Sequence, residues 1–471
     1  MFKRSFFLIM ALAVVAMVLA ACPAAAPADD TGSSDGDMAA ESAEPVVLRA
    51  NLGTEPPTGD PSLSSDTTSS SIINLSQLGL TGLNPDDYSA EPALATDWTI
   101  SEDGLTWTFN VRTDVPWVKY NADTGEVEEV LNDDGSVRYV TAGDIEYGIK
   151  RTCDPETASD YGYILYIIDG CEAAINGEGA VDDVAATALD DGAIEISTVY
   201  EAGFFPQILQ MPVAFAQPQW AIEEYGELWT EAENVVGTGP YVVSEWIHQD
   251  SLQMVKNPFW YGWEEDPRVG NIDVIDHVMI VEDSTAFAMY DNDELDWANV
   301  PQDQIELVFA EGGDYGDEGR IAPDVCTYYY GFITQKEAVS DVNVRRALSM
   351  AVDRKTLVEQ VTKGGQIPAN AFTNPLMFGT VAEDSDVAPW ALTEEQGGLG
   401  YEAAIEMAKE LMAEAGYEDG AGLTLTLGHN VNAGHARIAQ AIQAMWTAAF
   451  PQIQVDIQTQ ECGVYLASIN N

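Results

Sequence analysis

The stretch LATDWTISEDGLTWTFNVRTDVPW (residues 94–117) carries a regular alternation of apolar and polar side chains. Leu105, Trp107, Phe109 and Val111 alternate with threonine and asparagine, which is the period of a strand that buries one face. The residues Leu423, Leu425 and Leu427 repeat this pattern much later in the chain. Both segments therefore predict strands with a single core face.

Helical spacing occurs between these strands. The segment YEAAIEMAKELMAEAGY predicts a helix that ends at Gly416. Its apolar stripe consists of Ala404, Ile405, Ala408, Leu411, Met412 and Ala415. The segment ARIAQAIQAMW predicts a second helix, followed by the strand IQVDI. The inward face expected for this second helix consists of Ile438, Ala441, Ile442 and Met445. Mixed elements of this kind favour an α/β or α+β architecture with more than one sheet.

The N-terminus has the pattern of an export signal. Lys3 and Arg4 precede an apolar run over residues 6–21, which is shorter than the roughly 20 residues of a typical membrane-spanning helix. The run ends in Leu-Ala-Ala-Cys, which resembles the lipobox of bacterial lipoproteins. This resemblance implies that residues 1–22 are a signal peptide and that Cys22 becomes the lipidated first residue. The alternative is an ordinary cleavage site beside a buried thiol.

Composition separates a tether from a folded body. Residues 23–45 contain too little apolar surface to form a core, so we expect a disordered tether before a fold that starts near Val46. Hydrophobic residues make up 46% of the chain, enough for large cores, and the length of 471 residues suggests two or three domains. The 19 basic and 78 acidic residues give a net charge of −59. Such a charge repels phosphates, which excludes nucleic acid as a partner.

The cysteines and histidines predict a disulfide and no metal. Cys153 and Cys171 are near enough in sequence to close a short loop in an oxidising compartment, where a bridge contributes roughly 3 kcal/mol. No Cys/His spacing of a zinc site occurs, and His429 and His435 are six residues apart. The acidic segment VKYNADTGEVEEVLNDDGSVRYV matches no calcium loop and predicts a solvated hairpin.

No motif predicts catalysis or a cofactor. The chain has no G-x-S-x-G, HExxH or GxxxxGK[ST] pattern, and the VGTGPY glycines Gly237 and Gly239 precede a strand, which favours a tight turn. Tyrosines cluster in SDYGYILY and in CTYYYGF. Such clusters are core in most proteins, but they also suit a ligand cleft because tyrosine offers apolar area with a polar tip.

Several long segments resemble one family in the same order along the chain. Besides residues 94–117, they are VTAGDIEYGIKRTCDPETASDYGYILY, VGTGPYVVSEW, KNPFWYG, CTYYYGFITQKEAVSDVNVRRALSMAVDRKTLVEQV and AKELMAEAGYEDG. The chain from Val46 onward resembles the oligopeptide-binding lipoproteins and periplasmic proteins of ABC importers, solute-binding protein family 5. This resemblance implies a two-lobed clamshell, the type II periplasmic-binding-protein fold with an extra subdomain.

The resemblance also implies a domain layout and a function. Lobe I would span residues 46–325, with a smaller subdomain at about 67–234, and lobe II would span residues 326–471. The protein would be a monomer that captures oligopeptides and delivers them to an ABC permease, without catalysis or cofactor. It would sit in the cell envelope, on the periplasmic or extracellular face of the plasma membrane, held by its lipid.

Residue by residue, the resemblance gives a candidate ligand site. Tyr161 matches a cleft-lining tyrosine of the small subdomain, and Tyr329 matches one at the start of lobe II. Ser65, Asp66 and Thr67 fall where lobe I offers backbone groups to a peptide. For each of these residues, a packing or loop role is the alternative.

Some features depart from the family. Its members continue beyond the equivalent of Asn471 with a segment whose aspartate binds the α-amino group of the peptide, so the resemblance implies an incomplete lobe II. The family cysteine that matches Cys326 pairs within that segment, which argues against a Cys326–Cys462 bridge but leaves the pairing of these two cysteines open. Ile333 stands where the family usually has asparagine. Alternative ligands on the same fold are an oligosaccharide or a nickel chelate; a secreted acidic hydrolase is the alternative from another class.

Overall fold

The computed structural model of the chain describes residues 44–316, 318–322, 325–377, 388–393 and 397–470. The predicted signal peptide, Cys22 and all of the predicted tether except residues 44 and 45 lie outside the described residues. The described residues from Pro45 onward form one compact unit.

Strands occur throughout this unit. They are β1 (Val47–Asn51), β2 (Thr81–Leu83), β3 (Ala90–Pro92), β4 (Ala95–Ile100), β5 (Thr106–Val111), β6 (Val118–Asn121), β7 (Glu126–Glu129), β8 (Ala186–Asp190), β9 (Ala193–Ser197), β10 (Tyr241–Ile247), β11 (Ser251–Lys256), β12 (Val274–Val278), β13 (Thr424–Asn430) and β14 (Gln454–Gln460).

The α-helices alternate with these strands. They are α1 (Thr67–Ser76), α2 (Ala142–Thr152), α3 (Cys171–Ile175), α4 (Phe205–Ile208), α5 (Gln219–Tyr225), α6 (Gly262–Glu265), α7 (Asp283–Asp291), α8 (Ile305–Val308), α9 (Glu337–Ser340), α10 (Val342–Met350), α11 (Arg354–Thr356), α12 (Tyr401–Glu414), α13 (Ala433–Ala449) and α14 (Cys462–Asn470). Within the described ranges, no helix has the length and apolar character needed to cross a membrane.

The strand predicted around residues 105–111 lies inside a four-stranded antiparallel sheet of order β4-β5-β9-β8. Trp107 and Phe109 pair with Ile196 and Ile194 of β9, and all four side chains are buried. The alternation predicted from the sequence is therefore confirmed. The segment after Trp117 forms the β6–β7 hairpin, as predicted.

A second sheet has the order β1-β12-β11-β10, and its β1 is parallel to β12. A third, two-stranded sheet joins β13 and β14 in parallel. Buried side chains form three clusters, which lie within residues 80–236, 72–279 and 339–453. The architecture is a mixed α/β fold with several sheets, as the sequence predicts. The lobe boundary near residue 325 stays a prediction.

The helix α13 differs from its predicted orientation. The structure buries Ile438 and Ile442 as expected, but Ala439 and Trp446 are buried instead of Ala441 and Met445, which are half-buried. Trp446 turns inward because its large ring packs in the core, while its indole Nε1 donates a hydrogen bond of 2.8 Å to the Leu348 carbonyl.

The VGTGPY glycines serve a close approach between two segments. The backbone amides of Thr238 and Gly239 both donate to the carbonyl of Ser76, at the end of α1, over 2.9 Å. A Cβ atom on Gly239 would lie 2.6 Å from the carbonyl oxygen of Leu75. The two glycines therefore allow close contact with the end of α1, and neither of them has a left-handed backbone conformation.

Candidate functional site

The loop that leads into the candidate site is held by a buried carboxylate. Asp60 is 4% exposed, and its two oxygens accept hydrogen bonds of 2.8 and 2.7 Å from the Arg151 guanidinium. Trp229 Nε1 donates to the same carboxylate over 3.0 Å. Burial alone would lower the pKa of Arg151, but the bonds to Asp60 leave it raised. Arg151 therefore stays protonated.

Ser62 ties this loop to the segment that carries Tyr161. The Ser62 and Thr152 hydroxyls are 2.8 Å apart, and Gln217 Nε2 donates to the Ser62 hydroxyl over 2.7 Å. Ser159 Oγ donates to the Ser62 carbonyl over 2.5 Å. Because Ser159 lies two residues before Tyr161, these bonds fix the loop relative to that ring.

The predicted residues Ser65, Asp66 and Thr67 lie where this loop enters α1. Asp66 is the N-cap of α1, and its Oδ1 accepts a hydrogen bond of 2.8 Å from the Ser69 amide. Ser65 and Asp66 are half-buried, whereas Thr67 is exposed. The loop therefore presents groups at the surface from a rigid support.

Tyr161 stands beside this loop. Its ring lies edge-on to that of Tyr163, with centroids 5.7 Å apart, and it is half-buried. Burial raises the pKa of Tyr161, and the neighbouring Tyr163, Tyr329 and Asp66 raise it further. Of the residues predicted from the sequence, Asp66 and Tyr329 both act electrostatically on Tyr161.

Tyr329 comes from a distant segment of the chain. It is 65% exposed, and its ring packs against Phe372 at 5.1 Å. The helix α14 adds two groups that the sequence analysis did not assign to the site. Burial raises the pKa of Tyr465, with a contribution from Tyr329. Burial also raises the pKa of the Cys462 thiol, and the charge of Asp66 adds to that shift.

A cavity of about 280 Å³ has Tyr328, the sequence neighbour of Tyr329, in its lining. It is lined by residues 282–284 and 300–303 on one side and by Tyr328, Thr362, Gln366 and the start of α13 on the other. Arg437 Nη1 donates to Gln302 Oε1 across it over 2.9 Å. His435 packs against Tyr328 with ring centroids 5.4 Å apart. The cavity therefore combines charged and polar side chains with apolar surface.

Sequence reasoning missed His435 and Arg437, since it weighed His435 only as a metal ligand. The sequence signal for the start of α13 was Asn432, a residue type that favours the N-cap position, directly ahead of a long helix with an apolar stripe. The structure shows that this cap accepts a hydrogen bond from the His435 amide over 3.0 Å. Burial lowers the pKa of His435, which favours a neutral ring at pH 7.

The cysteines fall into two groups. Cys153 and Cys171, the pair chosen from the sequence, are bridged, and the bridge joins the end of α2 to the start of α3. Cys326 and Cys462 are not bridged to each other. Among the described residues, no group of His, Cys, Asp and Glu side chains is arranged to hold a metal ion.

Comparison with known proteins identifies the family. The model of the bacterial extracellular solute-binding proteins, family 5 middle, matches residues 89–471. The chain belongs to this family. The oligopeptide-binding protein OppA of Bacillus subtilis is 29% identical over 476 residues, which cover 100% of this chain and 80% of OppA. The dipeptide-binding protein DppE of the same organism is 30% identical, over 96% of this chain and 76% of DppE.

A solved structure supports the same relationship. The murein tripeptide binding protein MppA of Escherichia coli superposes with a TM-score of 0.78 at 27% identity, over 91% of this chain and 78% of MppA. This family 5 chain therefore has the mixed α/β fold of the periplasmic solute-binding proteins. The family consists of solute-binding proteins that act outside the cytoplasm, and these relatives are named as binding proteins and not as enzymes.

Proposed function

We propose that this family 5 protein is a lipid-anchored, monomeric receptor that captures oligopeptides outside the cytoplasm and delivers them to an ABC permease, without catalysis. One observation carries the proposal. The family 5 model matches residues 89–471, and a relative that is 29% identical over the whole chain is named as an oligopeptide-binding protein.

The chemistry of this site suits a peptide. Exposed and half-buried tyrosines offer flat apolar area with polar tips, which accept varied side chains. The cavity of about 280 Å³ beside Tyr328 has room for ordered water, which bridges polar groups that fit imperfectly. An extended peptide would add its own backbone hydrogen bonds to the loop at residues 65–67.

The relatives support the same ligand class. Two bacterial relatives with 29% and 30% identity are named for oligopeptide and dipeptide binding, and the similar E. coli structure is of a tripeptide-binding protein. We propose lobes at residues 46–325 and 326–471 that close on the ligand. A hinge closure of this kind would give the permease a distinct shape to recognise.

Thermal unfolding with ligand tests the binding proposal. The protein is mixed with tri- to pentapeptides of random sequence or, in a parallel series, with maltooligosaccharides. Peptides should raise the melting temperature, because a ligand that binds only the native state stabilises it by mass action. A rise with sugars alone would contradict the proposal and favour a carbohydrate receptor.

Matched tyrosine variants locate the site. Tyr161→Ala should reduce the peptide-induced rise, since it removes a ring from the proposed cleft. Tyr200→Ala is the control, because Tyr200 is an exposed tyrosine outside this cluster. If both variants kept the full response to peptide, the cleft would lie elsewhere.

The anchor is a separate part of the proposal. Cys22 follows a short apolar run and precedes an Ala-, Pro- and Asp-rich segment, so its lipidation would leave a tether of residues 23–45. In bacterial cells the wild-type protein should fractionate with membranes, whereas Cys22→Ala should lose its lipid label. A Cys22→Ala protein that still incorporated labelled fatty acid would contradict the anchor.

A further inference from the structure

We infer that a clasp joins the two walls of the cavity beside Tyr328 and must open for a ligand to enter or leave. The clasp consists of two contacts, the Glu306–Lys363 ion pair and the Gln302–Arg437 hydrogen bond. The inference rests on the proposed function and takes the cavity as part of its ligand site. It adds a control on how fast that site exchanges its ligand.

Both contacts of the clasp join segments that are far apart in the sequence. Lys363 Nζ donates to Glu306 Oε1 over 2.7 Å, across 57 residues of sequence separation. Arg437 Nη1 donates to Gln302 Oε1 over 2.9 Å, across 135 residues. The short segment at residues 302–306 is therefore held at two points by later parts of the chain.

The two ends of the clasp belong to opposite walls of the cavity. One wall contains residues 300–303, and the other contains Thr362 and the start of α13. Thr362 directly precedes Lys363, and Glu306 follows the first wall by three residues. Glu306 and Lys363, which both fall within the described ranges, are themselves not part of the cavity lining. They can therefore position the walls without touching a ligand.

Lys363 has an unusual backbone conformation. It follows the π-helical turn Leu357–Thr362, and its amide donates to the Val358 carbonyl over 2.9 Å. Its φ of 56° lies in the left-handed region, which is unfavourable for a residue with a Cβ atom. Strained residues of this kind cluster at ligand clamps and switch segments. The conformation of Lys363 therefore points to a role for its side chain.

The charge balance of the chain supports the same role. Only 19 basic residues accompany 78 acidic ones, yet Lys363 and Arg437 both reach residues 302–306. The turn before Lys363 packs against α13, which carries Arg437, so both cations come from one packed pair of elements. The bond from Lys363 lowers the pKa of Glu306, which keeps this carboxylate ionised at pH 7.

The size of the cavity explains why the clasp would have to open. Its volume is about 280 Å³, whereas ligand pockets usually measure about 300–1,000 Å³. An extended peptide that reaches into this space therefore needs the two walls to part. Binding that requires such a rearrangement is slower than simple docking. Weakening the clasp should speed both the entry and the exit of a ligand.

Stopped-flow fluorescence tests the clasp with the peptide Ala-Lys-Ala carrying a dansyl group on its lysine. Glu306→Gln and Lys363→Met each remove the ion pair and keep an unbranched side chain. Each variant should raise the association and dissociation rate constants together by about two- to fivefold, the scale of one exposed ion pair. The dissociation constant should stay within about twofold of the wild type, because it is the ratio of the two rate constants.

Glu406→Gln is the matched control. Glu406 pairs with Lys409 over 2.9 Å within α12, so this ion pair joins no two segments. Its side chain is 74% exposed, similar to the 81% of Glu306, and its variant should keep both rate constants. A double variant, Glu306→Lys with Lys363→Glu, reverses the ion pair and should restore the wild-type rate constants.

Several outcomes would overturn the inference. Unchanged rate constants in Glu306→Gln and Lys363→Met would mean that the clasp does not limit exchange. A faster dissociation with an equal rise in the dissociation constant would mean that these residues bind the ligand. Without recovery in the double variant, the two side chains would not act as a pair. An equal acceleration in Glu406→Gln would assign the effect to the net charge of the chain.

Amide hydrogen exchange tests the clasp without a ligand. The amides of residues 304 and 307–309 are hydrogen-bonded within the segment that the clasp holds. Their exchange should accelerate by about two- to fivefold in Glu306→Gln and in Lys363→Met, because local opening becomes easier. Glu406→Gln should leave it unchanged. Equal exchange in all four proteins, wild type included, would overturn the clasp.

This second measurement also separates the inference from the proposed function. If random tri- to pentapeptides do not raise the melting temperature of the wild type, the proposed function fails. If the labelled peptide alone does not bind, peptide binding stands. In both cases hydrogen exchange decides on the clasp.

Discussion

Asp60 is a buried carboxylate with donors on both oxygens. Arg151 bonds to both of them, Trp229 Nε1 to one, and the Ser62 amide to the other. A charge removed from water is tolerated when its lone pairs are satisfied in this way. The cluster also holds the loop that continues to Asp66 at the proposed ligand site.

Arg151→Met should destabilise the protein strongly. The variant keeps an apolar stem but leaves Asp60 buried beside no cation, and breaking a buried pair from one side costs about 3–5 kcal/mol. Urea unfolding followed by circular dichroism measures the loss. Arg268→Met is the control: Arg268 bonds Glu91 and Asp266 at the surface, and losing such exposed pairs costs less than about 1 kcal/mol. Similar losses for both variants would contradict a special role for Asp60.

His248 should make stability depend on pH. Its Nδ1 lies 2.6 Å from Glu55 Oε1 and its Nε2 lies 3.1 Å from Glu231 Oε2. These two carboxylates raise its pKa in the folded state. A raised folded pKa stabilises the protein fully below the unfolded value of about 6.5, and this stabilisation disappears as the pH rises through the folded pKa.

The melting temperature of the wild type relative to His248→Gln measures this contribution between pH 6 and pH 9. The difference should be largest at pH 6, about 1–2 °C because the ring is 52% exposed and solvent screens it. It should vanish near pH 9. A difference that grows with pH would have the wrong sign for an ion pair.

The residues of the candidate site could be predicted only from the resemblance of the sequence to solute-binding protein family 5. Tyr161 and Tyr329 stand out as members of tyrosine clusters, but clusters of this kind are core in most proteins. The pairing of Asp60 with Arg151 spans 91 residues, and no local pattern encodes it. His435 and Arg437 face the cavity because α13 begins at its edge, which depends on tertiary packing.

Among the elements, α1 ends against a loop from far along the chain. The Ser76 carbonyl at its C-terminus accepts the amides of Thr238 and Gly239. These bonds supply partners for a carbonyl that has no hydrogen-bond partner within the helix. The contact requires close approach of two backbones, which explains glycine at position 239.

Gly239→Ala should destabilise by about 1–3 kcal/mol, the usual cost of overpacking. Its new Cβ would lie 2.6 Å from the Leu75 carbonyl oxygen and 2.8 Å from the Ser76 carbonyl carbon, and both neighbours are backbone atoms that cannot move aside cheaply. Gly203→Ala is the control, because nothing lies within 4 Å of its added Cβ. Urea midpoints compare the two variants; equal stability would contradict the close approach.

The disulfide joins the end of α2 to the start of α3 across 18 residues of sequence separation. Replacing both cysteines by alanine should cost roughly 3 kcal/mol, because the bridge restricts the unfolded chain. Reductant, with enough denaturant to expose the buried bridge, should lower the melting temperature of the wild type to that of the double variant under the same conditions. A reductant that also lowered the double variant would point to another cause.

Single elements were largely predictable, because β5 and α12 have one-sided apolar patterns of the right period. Of the six residues in the predicted stripe of α12, three are fully buried (Ala404, Ala408 and Met412) and three are half-buried (Ile405, Leu411 and Ala415). The predicted orientation of α13 was wrong by part of a turn. Its apolar residues (Ala, Ile, Met and Trp) cover a broad face, so the sequence does not fix which edge of that face is buried. Tertiary contact with Leu348 selected the edge that carries Trp446.

At the scale of the whole molecule, the net charge of −59 opposes compaction. Basic residues are few, and many of them already pair with carboxylates, as Arg112 does with Asp114 and Glu265. Most acidic side chains therefore contribute repulsion to the folded state, while the unfolded chain spreads the same charge over a larger volume.

Added salt should stabilise this protein, and the rise should come early in the titration. The Debye length falls from about 30 Å at 0.01 M to about 8 Å at 0.15 M ionic strength, so most repulsion is screened by 0.3 M sodium chloride. The melting temperature should therefore climb steeply up to that concentration and slowly beyond it. Sucrose, which carries no charge, is the control and should give no early rise, because it acts through exclusion from the protein surface. A flat response to sodium chloride below 0.3 M would mean that the carboxylates are too well separated or paired for repulsion to limit stability.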